Sequence, residues 1–571
     1  MGKLSPVIQP GRSFDKLMLP LILTLHVVLV GISAWQHSPT LDEPAYLTAG
    51  LRHLHSGRFD SYKVTPPLVR SIAALPVNFL TNFDDLEFEG SIRLRPEFDA
   101  GHRFLTEHGQ RSFWLVTIAR WACIPFSLLG ALCLHNWGRD LYGHAAGRAA
   151  LVLWCFSPNI FAHAQLLTPD IAVTSLCIAF MYFSWKWRHA PTWKSAFALG
   201  GILGIAVLSK TSAILLLPVA FLAELRKSRE TGCHMSTGAI RYLVTLMMMI
   251  NIVNLGYLFE FSPCSLSEVA PRSTTLNNLL SINATIGKLP LPLPLSFVEG
   301  INLQLMDFEN RDGGIQTFIA GTWTSRSRWW YYLYAAALKI PLGILFLFLI
   351  GLGSLVGPNR QLPIAESAVF VLAPLFFAFL IPSLASGFGS GIRYVLPGFP
   401  FLFLVASSAF CTKKNWYRIV VRNVLLAWAV LSSVLNYPHS LSYFNELAGG
   451  PENGHNCLLE GGVDYGQDLL FALNWKEKNG HKSPVYFSYW GPVQAGDLNP
   501  AFLTLPRSPA ALPEHGWCLI SVNYLHDSRC NEDFSTRSIF AESQPTCHLT
   551  PAIHIYEFER IEGTIRVVRR R

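Results

Sequence analysis

Apolar runs about twenty residues long alternate along this chain with polar segments of very unequal length. The first run, Leu17 to Trp35, follows Lys3, Arg12 and Lys16 and has no small-residue cleavage site after it. It reads as an uncleaved signal anchor and a first membrane span. Further runs cover residues 112–134, 145–163, 170–187, 196–208, 211–223, 240–258, 329–355, 365–384, 393–411 and 418–436. Each is compatible with a span or a half-span, because about 20 apolar residues cross the hydrocarbon core as a helix. The pattern predicts an α-helical polytopic membrane protein with about eleven transmembrane helices.

Three polar segments, 36–111, 259–328 and 437–571, are too long to be turns. In the first, Pro66-Pro67 precedes Leu68, Val69, Ile72, Ala73 and Leu75 at helical spacing, as in an amphipathic helix lying on a membrane surface. The last predicts a soluble α/β domain, with strand-like Val485–Trp490, Cys518–Tyr524 and His554–Phe558 between Gly/Pro-rich turns. The domains expected are therefore a membrane module over 1–436, with large loops at 36–111 and 259–328, and a soluble domain over 437–571.

Charge gives the sidedness. With the N-terminus inside, the connections expected inside carry Arg139 and Arg148; Lys186, Arg188 and Lys194; Arg226, Lys227 and Arg229; Arg360; and Lys413, Lys414 and Arg418. The short connections on the other side hold few cations, Lys210 and Arg393 being one each, so the three long segments face away from the cytoplasm. The basic end, Arg566 and Arg569–Arg571, conflicts only mildly, because long domains cross largely regardless of charge. With 51% hydrophobic and 14% charged residues, well under the roughly 25% charged of soluble domains, a soluble globular chain is excluded. The net charge of +8 is spread over topology-setting clusters and forms no stripe for nucleic acid. Among the 11 cysteines there is no CxxC pair, and Cys123, Cys133, Cys155, Cys177 and Cys411 sit in apolar runs. Cys264, Cys457, Cys518, Cys530 and Cys547 are expected in an oxidising compartment, with Cys530 and Cys547 as a candidate pair.

The chemically suggestive residues fall on that outer side. Asp42-Glu43, just beyond the first span, can supply a general base and a partner acid that tunes it or holds a cation. The same residues also fit a helix start, with Thr40 or Asp42 as N-cap and Pro44 in the first turn. Thr168-Pro169-Asp170 has the same two readings. Lys210, Arg393 and, eight residues into its span, Arg120 are cations that an apolar setting tolerates only with partners, and they suit a phosphate. Trp329-Trp330-Tyr331-Tyr332 fits an interfacial belt or a sugar-stacking surface. There is no phosphate-binding G-x-x-x-x-G-K-[ST] loop, no G-x-G-x-x-G after a strand and no H-E-x-x-H, so nothing points to a cytoplasmic nucleotide.

In order and topology these residues resemble the membrane glycosyltransferases of GT-C fold, specifically the dolichyl-phosphate-mannose protein mannosyltransferases and the aminoarabinose transferases. The resemblance runs from Asp42-Glu43 with Tyr46, Gly50, Gly57 and Pro66-Pro67-Leu68, through Ser157-Pro158-Asn159, His163, Asp170 and Leu208-Ser209-Lys210-Thr211 before Pro218. It continues through Trp329 to Tyr332, Lys339-Ile340-Pro341, Arg393-Tyr394-Val395-Leu396-Pro397, Tyr443 to Leu447 and Asp464-Tyr465-Gly466-Gln467-Asp468. It implies transfer of a sugar from a polyprenyl-phosphate donor to a glycan, lipid or protein acceptor on the outer face of a bacterial plasma membrane. Under it Asp42 is the general base, with Glu43 and Asp170 orienting a substrate or holding a divalent cation. Lys210, Arg393 and Arg120 hold the donor phosphate, and Tyr46, Trp329 and Tyr332 touch acceptor or sugar. Many relatives have His where this chain has Thr65, and Trp where it has Tyr465. A transporter or flippase of lipid-linked sugar and a non-catalytic outer-face binding protein are the competing readings, the first disfavoured by the absence of an internal repeat.

Overall fold

The computed structural model describes residues 12–81, 95–188, 191–230, 235–282, 287–309, 315–356, 368–385, 387–411, 415–479, 483–500, 502–526 and 535–568. Arg360, Lys413, Lys414, Cys530 and Arg569–Arg571 lie outside these residues, and with Cys530 the expected pairing of Cys547.

The membrane module begins with α1 (Arg12–Gln36), followed by α2 (Glu43–Ser56), α3 (Leu68–Asn78), α4 (Pro96–His108), α5 (Arg111–Tyr142), α6 (His144–Cys155), α7 (Pro158–Ala164), α8 (Asp170–Lys186) and α9 (Trp193–Ser209). Among the described residues five helices are long and apolar enough to cross a membrane: Leu17–Gln36, Arg111–Tyr142, Ser236–Gly256, Ala368–Ala385 and Trp416–Leu435. Two bent pairs pass the same test, His144–Cys155 with Pro158–Ala164 at 56° and Tyr331–Lys339 with Leu342–Leu355 at 111°. Prolines 158 and 341 explain both breaks, since a proline supplies no N–H to the preceding turn. The chain is an integral membrane protein; the expected eleven crossings exceed the five to seven that meet this length and composition test. The difference arises because several of the apolar runs form helices of 10–17 residues, such as α9, which fall below the length of those five.

The membrane module is packed around α5. This helix lies against α6, α8, α1 and α3, and buries Trp137 with Trp154 and Phe180 in the main core. Gly130 makes that packing possible, because a Cβ there would meet the Trp154 ring at 2.3 Å. The helix α3, expected on a membrane surface, instead turns Val69, Ala73, Ala74 and Val77 into the protein against α2 and α5, leaving Leu75 exposed.

Residues 485–567 contain a five-stranded mixed sheet in the order Val485–Ser488, His515–Ser521, Ile553–Ile561 and Cys547–Thr550, with Thr564–Val567 also paired to Ile553–Ile561. The first two strands are parallel and the remaining pairs antiparallel. The expected strand over Cys518–Tyr524 sits earlier, because Val522–His526 turns into a short helix. The sheet buries one face on Leu469 and Leu473 of the Leu469–Asn479 helix, and on the other its Tyr556 packs against Phe540.

Candidate active site

The polar residues at the start of α2 divide into two sets with different tasks. Glu43 is fully buried and accepts hydrogen bonds from the Thr40 N–H at 2.8 Å, the Thr40 hydroxyl at 2.9 Å and the Leu167 N–H at 3.1 Å. It also receives Nε of Arg120 at 2.8 Å and that guanidinium's Nη2. The remaining Arg120 protons go to the carbonyls of Ala34, His37 and Ser38, at 2.7, 2.7 and 2.8 Å. Burial opposes the charge on Glu43, but Arg120 and the backbone donors outweigh it and hold the carboxyl below the usual carboxylate range. Arg120, expected at the donor phosphate, is thus spent inside the protein, where it ties α5 to the turn between α1 and α2. Its planar fork of donors is filled by one carboxylate and three carbonyls.

Asp42 is freed by this arrangement. It occupies the cap position of α2 without making a side-chain cap bond, because Glu43 reaches back to Thr40 and takes that role. Its Oδ2 meets Arg393 Nη1 at 3.1 Å and accepts the Tyr465 hydroxyl proton. Arg393 also donates to the Tyr465 oxygen. From the other side, Lys210 Nζ binds Asp170 Oδ1 at 2.6 Å, and Arg393 Nε stands 3.5 Å from Asp170 Oδ2. Asp42, Arg393, Asp170 and Lys210 therefore form one chain of alternating charge, with His163 Nδ1 3.9 Å from Asp170. Lys210 and Arg393 both overlie the Tyr394 ring, at 4.8 and 5.8 Å.

The backbone is arranged to hold these groups. Lys210 is the extended residue that ends α9, and Asp170 opens α8 directly after Pro169. Arg393 follows a glycine-rich loop anchored at two points: Gly389 N–H donates to the Thr317 hydroxyl at 2.8 Å and Gly391 N–H to the Tyr331 hydroxyl at 3.0 Å. Gly389 lies flat on the Tyr331 ring, where any side chain would clash at 2.4 Å. Tyr465 is held by a ladder to the first connection, with Leu41 N–H donating to the Tyr465 carbonyl and Ser38 N–H to the Gln467 carbonyl, both at 2.9 Å. Burial pushes the nearby Asp464 carboxyl up to about 7.

Two cavities flank the charged chain. One, about 210 Å³, is polar and lined in part by Tyr62, Lys63, Arg95, Glu97, Arg272 and Glu299. Tyr62 stacks on Tyr46 at 4.3 Å, and the Tyr46 hydroxyl lies 3.3 Å from Thr65 Oγ1. The other, about 110 Å³, is apolar; Leu216, Phe377, Ile381, Pro397 and Phe401 line it together with Tyr394.

Residues 113–257 match the family model of the dolichyl-phosphate-mannose-protein mannosyltransferases. That bears out the resemblance read from the sequence. The matched segment contains Arg120, Asp170 and Lys210, while Asp42, Arg393 and Tyr465 lie outside it. No curated protein sequence matches the chain. Among solved structures, ArnT from Cupriavidus metallidurans bound to undecaprenyl phosphate is 12% identical, with a TM-score of 0.44 covering 95% of this chain and 98% of that one. The same protein in the apo state gives the same values. The archaeal oligosaccharyltransferase AglB from Archaeoglobus fulgidus, in complex with an inhibitory peptide and a dolichol-phosphate, is 11% identical, with a TM-score of 0.39 covering 98% of this chain and 75% of that one.

The expected site residues are therefore brought together only in part. Asp42, Asp170, Lys210 and Arg393 meet, and Tyr46 stands beside the polar cavity's Tyr62. Tyr332 is buried with its hydroxyl 3.5 Å from the Phe388 carbonyl, and its ring lies 6.4 Å from Tyr394, so it backs the site. Trp329 is largely exposed, as an interfacial residue is. Glu43 and Asp170, expected to offer oxygens to a divalent cation, have theirs occupied by Arg120, Thr40 and Leu167 and by Lys210 and Arg393. That donor set does not fit a metal. Sequence reasoning left out Tyr465 and Tyr394 as site residues. The signal for Tyr465 was its departure from the tryptophan of many relatives, and Thr65, the other departure, also reaches the site through Tyr46.

Proposed function

We propose that the chain transfers a sugar from a polyprenyl-phosphate carrier to an acceptor on the extracytoplasmic face of a bacterial plasma membrane. The observation that carries this reading is that Tyr394, which lines the apolar cavity, has Lys210 and Arg393 over its ring. A polyprenyl phosphate is an apolar tail with an anionic head, and this is an apolar slot whose wall includes Tyr394, the ring that the two cations overlie. A unit charge pair at 4 Å is worth about 4 kcal/mol at an effective dielectric of 20. The cations oppose charge where it grows as the phosphate leaves, which is electrostatic catalysis.

Asp42 supplies the base. Its Oδ2 is held by Arg393 and Tyr465, and no hydrogen bond among the described residues engages its Oδ1. As the acceptor's nucleophilic atom bonds to the anomeric carbon, the carbon–oxygen bond to phosphate breaks. The electron pair departs on the phosphate and the acceptor's proton passes to Asp42. Attack opposite the leaving group inverts the anomeric centre. Tyr46 and the polar cavity beyond it receive the acceptor, with Tyr332 behind the donor cations. No metal is needed to balance these steps. Purified full-length protein assayed with a panel of polyprenyl-phosphate sugars against lipid, glycan and peptide acceptors tests the reading. Asp42→Asn is expected to lower the transfer rate by about 10²–10⁴ while the protein purifies and melts as the parent does. Product formation at the parental rate by Asp42→Asn, or none by the parent with any donor, refutes it.

A further inference from the structure

Behind the ladder that holds Tyr465, three side chains from distant parts of the chain point at one another. His37 ends the first connection after α1, His439 follows the Trp416–Leu435 helix, and Asp468 precedes the Leu469–Asn479 helix. One ligand atom from each can be chosen so that all lie within 4.8 Å. His37 Nε2 stands 3.6 Å from Asp468 Oδ1, and His439 Nδ1 stands 3.8 Å from the same oxygen.

These separations are too long for hydrogen bonds, which run 2.7–3.2 Å for N–H···O. They are close to the edge of a coordination polyhedron: ligands about 2.0–2.1 Å from a tetrahedral zinc stand roughly 3.3–3.4 Å apart. The donor states also suit a cation. His37 Nδ1 lies 2.8 Å from the Ser33 carbonyl, which can only accept, so in the neutral ring the proton is on Nδ1 and the Nε2 lone pair faces Asp468. A carbonyl-anchored imidazole of this kind is the usual outer support of a metal-bound histidine. Neither oxygen of Asp468, which is 1% exposed, has a hydrogen-bond partner. His439 and the Thr550 hydroxyl face it without reaching hydrogen-bonding geometry. A buried carboxylate left in that state is costly, and a cation answers the cost.

The frame is rigid before any ion binds. Ser38 Oγ donates to the Gly466 carbonyl at 3.0 Å and accepts from Leu469 N–H at 2.9 Å, fixing the distance between the His37 and Asp468 backbones. Phe471 forms an apolar wall, 5.4 Å from His37 and 4.8 Å from His439. His439 is the partly exposed member and marks the way in.

We propose that His37, His439 and Asp468 bind a zinc-class divalent cation that fastens the end of α1 to the 464–468 loop. Two imidazoles and one carboxylate select a borderline transition metal over magnesium or calcium, which prefer all-oxygen shells. A further position remains for water. The ion stands behind the site in a structural role, and its detection does not depend on the transfer reaction.

The test uses the full-length protein in detergent, stripped with a chelator, reloaded with zinc and desalted. The expected result is one zinc per chain, a zinc-dependent rise in melting temperature, and visible d–d bands when cobalt(II) replaces zinc. His439→Gln, the change least disruptive to the buried core, should lower zinc affinity by at least about tenfold and remove the zinc-dependent rise. Asp468→Asn should abolish the cobalt bands while, without zinc, it melts at or above the parent, because it removes an unpaired buried charge. Zinc retention and stabilisation unchanged in both variants, no zinc retained by the parent, or stabilisation by magnesium or calcium alone overturns the proposal.

Discussion

Replacing Arg120 by Met separates two roles that the sequence alone cannot tell apart. If the guanidinium is an internal fastener, its removal leaves Glu43 charged and buried with only Thr40 and Leu167 as donors, and exposes the carbonyls of Ala34, His37 and Ser38 to an apolar neighbour. Removing one member of a buried, hydrogen-bonded pair costs about 3–5 kcal/mol, and the carbonyl bonds lost with Arg120 add to this. Replacing both partners by neutral groups of similar shape is far milder, so Glu43→Gln with Arg120→Met should recover at least about 2 kcal/mol relative to the sum of the single changes. Thermal or denaturant unfolding of the purified proteins, followed by tryptophan fluorescence, measures the cycle. The functional readout is the binding of a fluorescent polyprenyl phosphate to the Arg120→Met protein at a temperature where it is folded. A protein as stable as the parent that has lost lipid binding would refute the fastener and restore Arg120 to the phosphate. Strong destabilisation with lipid affinity within about twofold supports it.

Two further outcomes are expected. Tyr465→Phe removes the hydroxyl shared by Asp42 and Arg393; transfer should fall by about tenfold through the rate at saturating donor, since one hydrogen bond to a charged group is worth about 1.5–3 kcal/mol, and an unchanged rate would place Tyr465 outside the chemistry. The residues 437–568 should lose stability in acid: burial lowers His455 to about 4 and His554 to about 2, so below about 6.5 the unfolded chain takes up protons that the folded one refuses. Asp464, raised to about 7, works in the opposite direction, gaining stability as the pH falls from about 7 towards 3.8. His554→Phe should therefore flatten the fall in melting temperature between pH 7 and 5, and Asp464→Asn should steepen it; the reverse order of slopes would contradict the assignment.

What could be read from the sequence follows from the range of each interaction. Helices with one strong apolar period were legible, as was the meeting of Asp42, Asp170, Lys210 and Arg393, because charge alternation alone puts them on one side. Which cation serves which acid was not legible. Arg120 and Arg393 are both arginines near apolar runs, and only packing reveals that the first meets three carbonyls turned inward while the second meets Asp42 and a tyrosine ring. Asp42 does hold the cap position that the helix-start reading allowed, but makes no cap bond for a local reason: Glu43 and Thr40 satisfy each other first. Hydropathy records composition, so a 17-residue helix such as α9 scores as well as a longer span. Tyr465 and the His37–His439–Asp468 group join segments about 400 residues apart, a relation that no local pattern encodes.

The ladder between residues 38–41 and 465–467 has a consequence for how the molecule comes into being. Asp42 leaves the ribosome more than four hundred residues before its hydroxyl partner. Throughout most of synthesis the membrane module therefore carries its acid and its cations without the segment that orients them. The charged cluster is complete only when the 464–468 loop arrives and docks against the exit of α1, so a chain that stalls halfway holds Asp42 without its Arg393 and Tyr465 partners. The late segment completes the cluster, so insertion of the early helices and the joining of Asp42 to Tyr465 become two separate events in time.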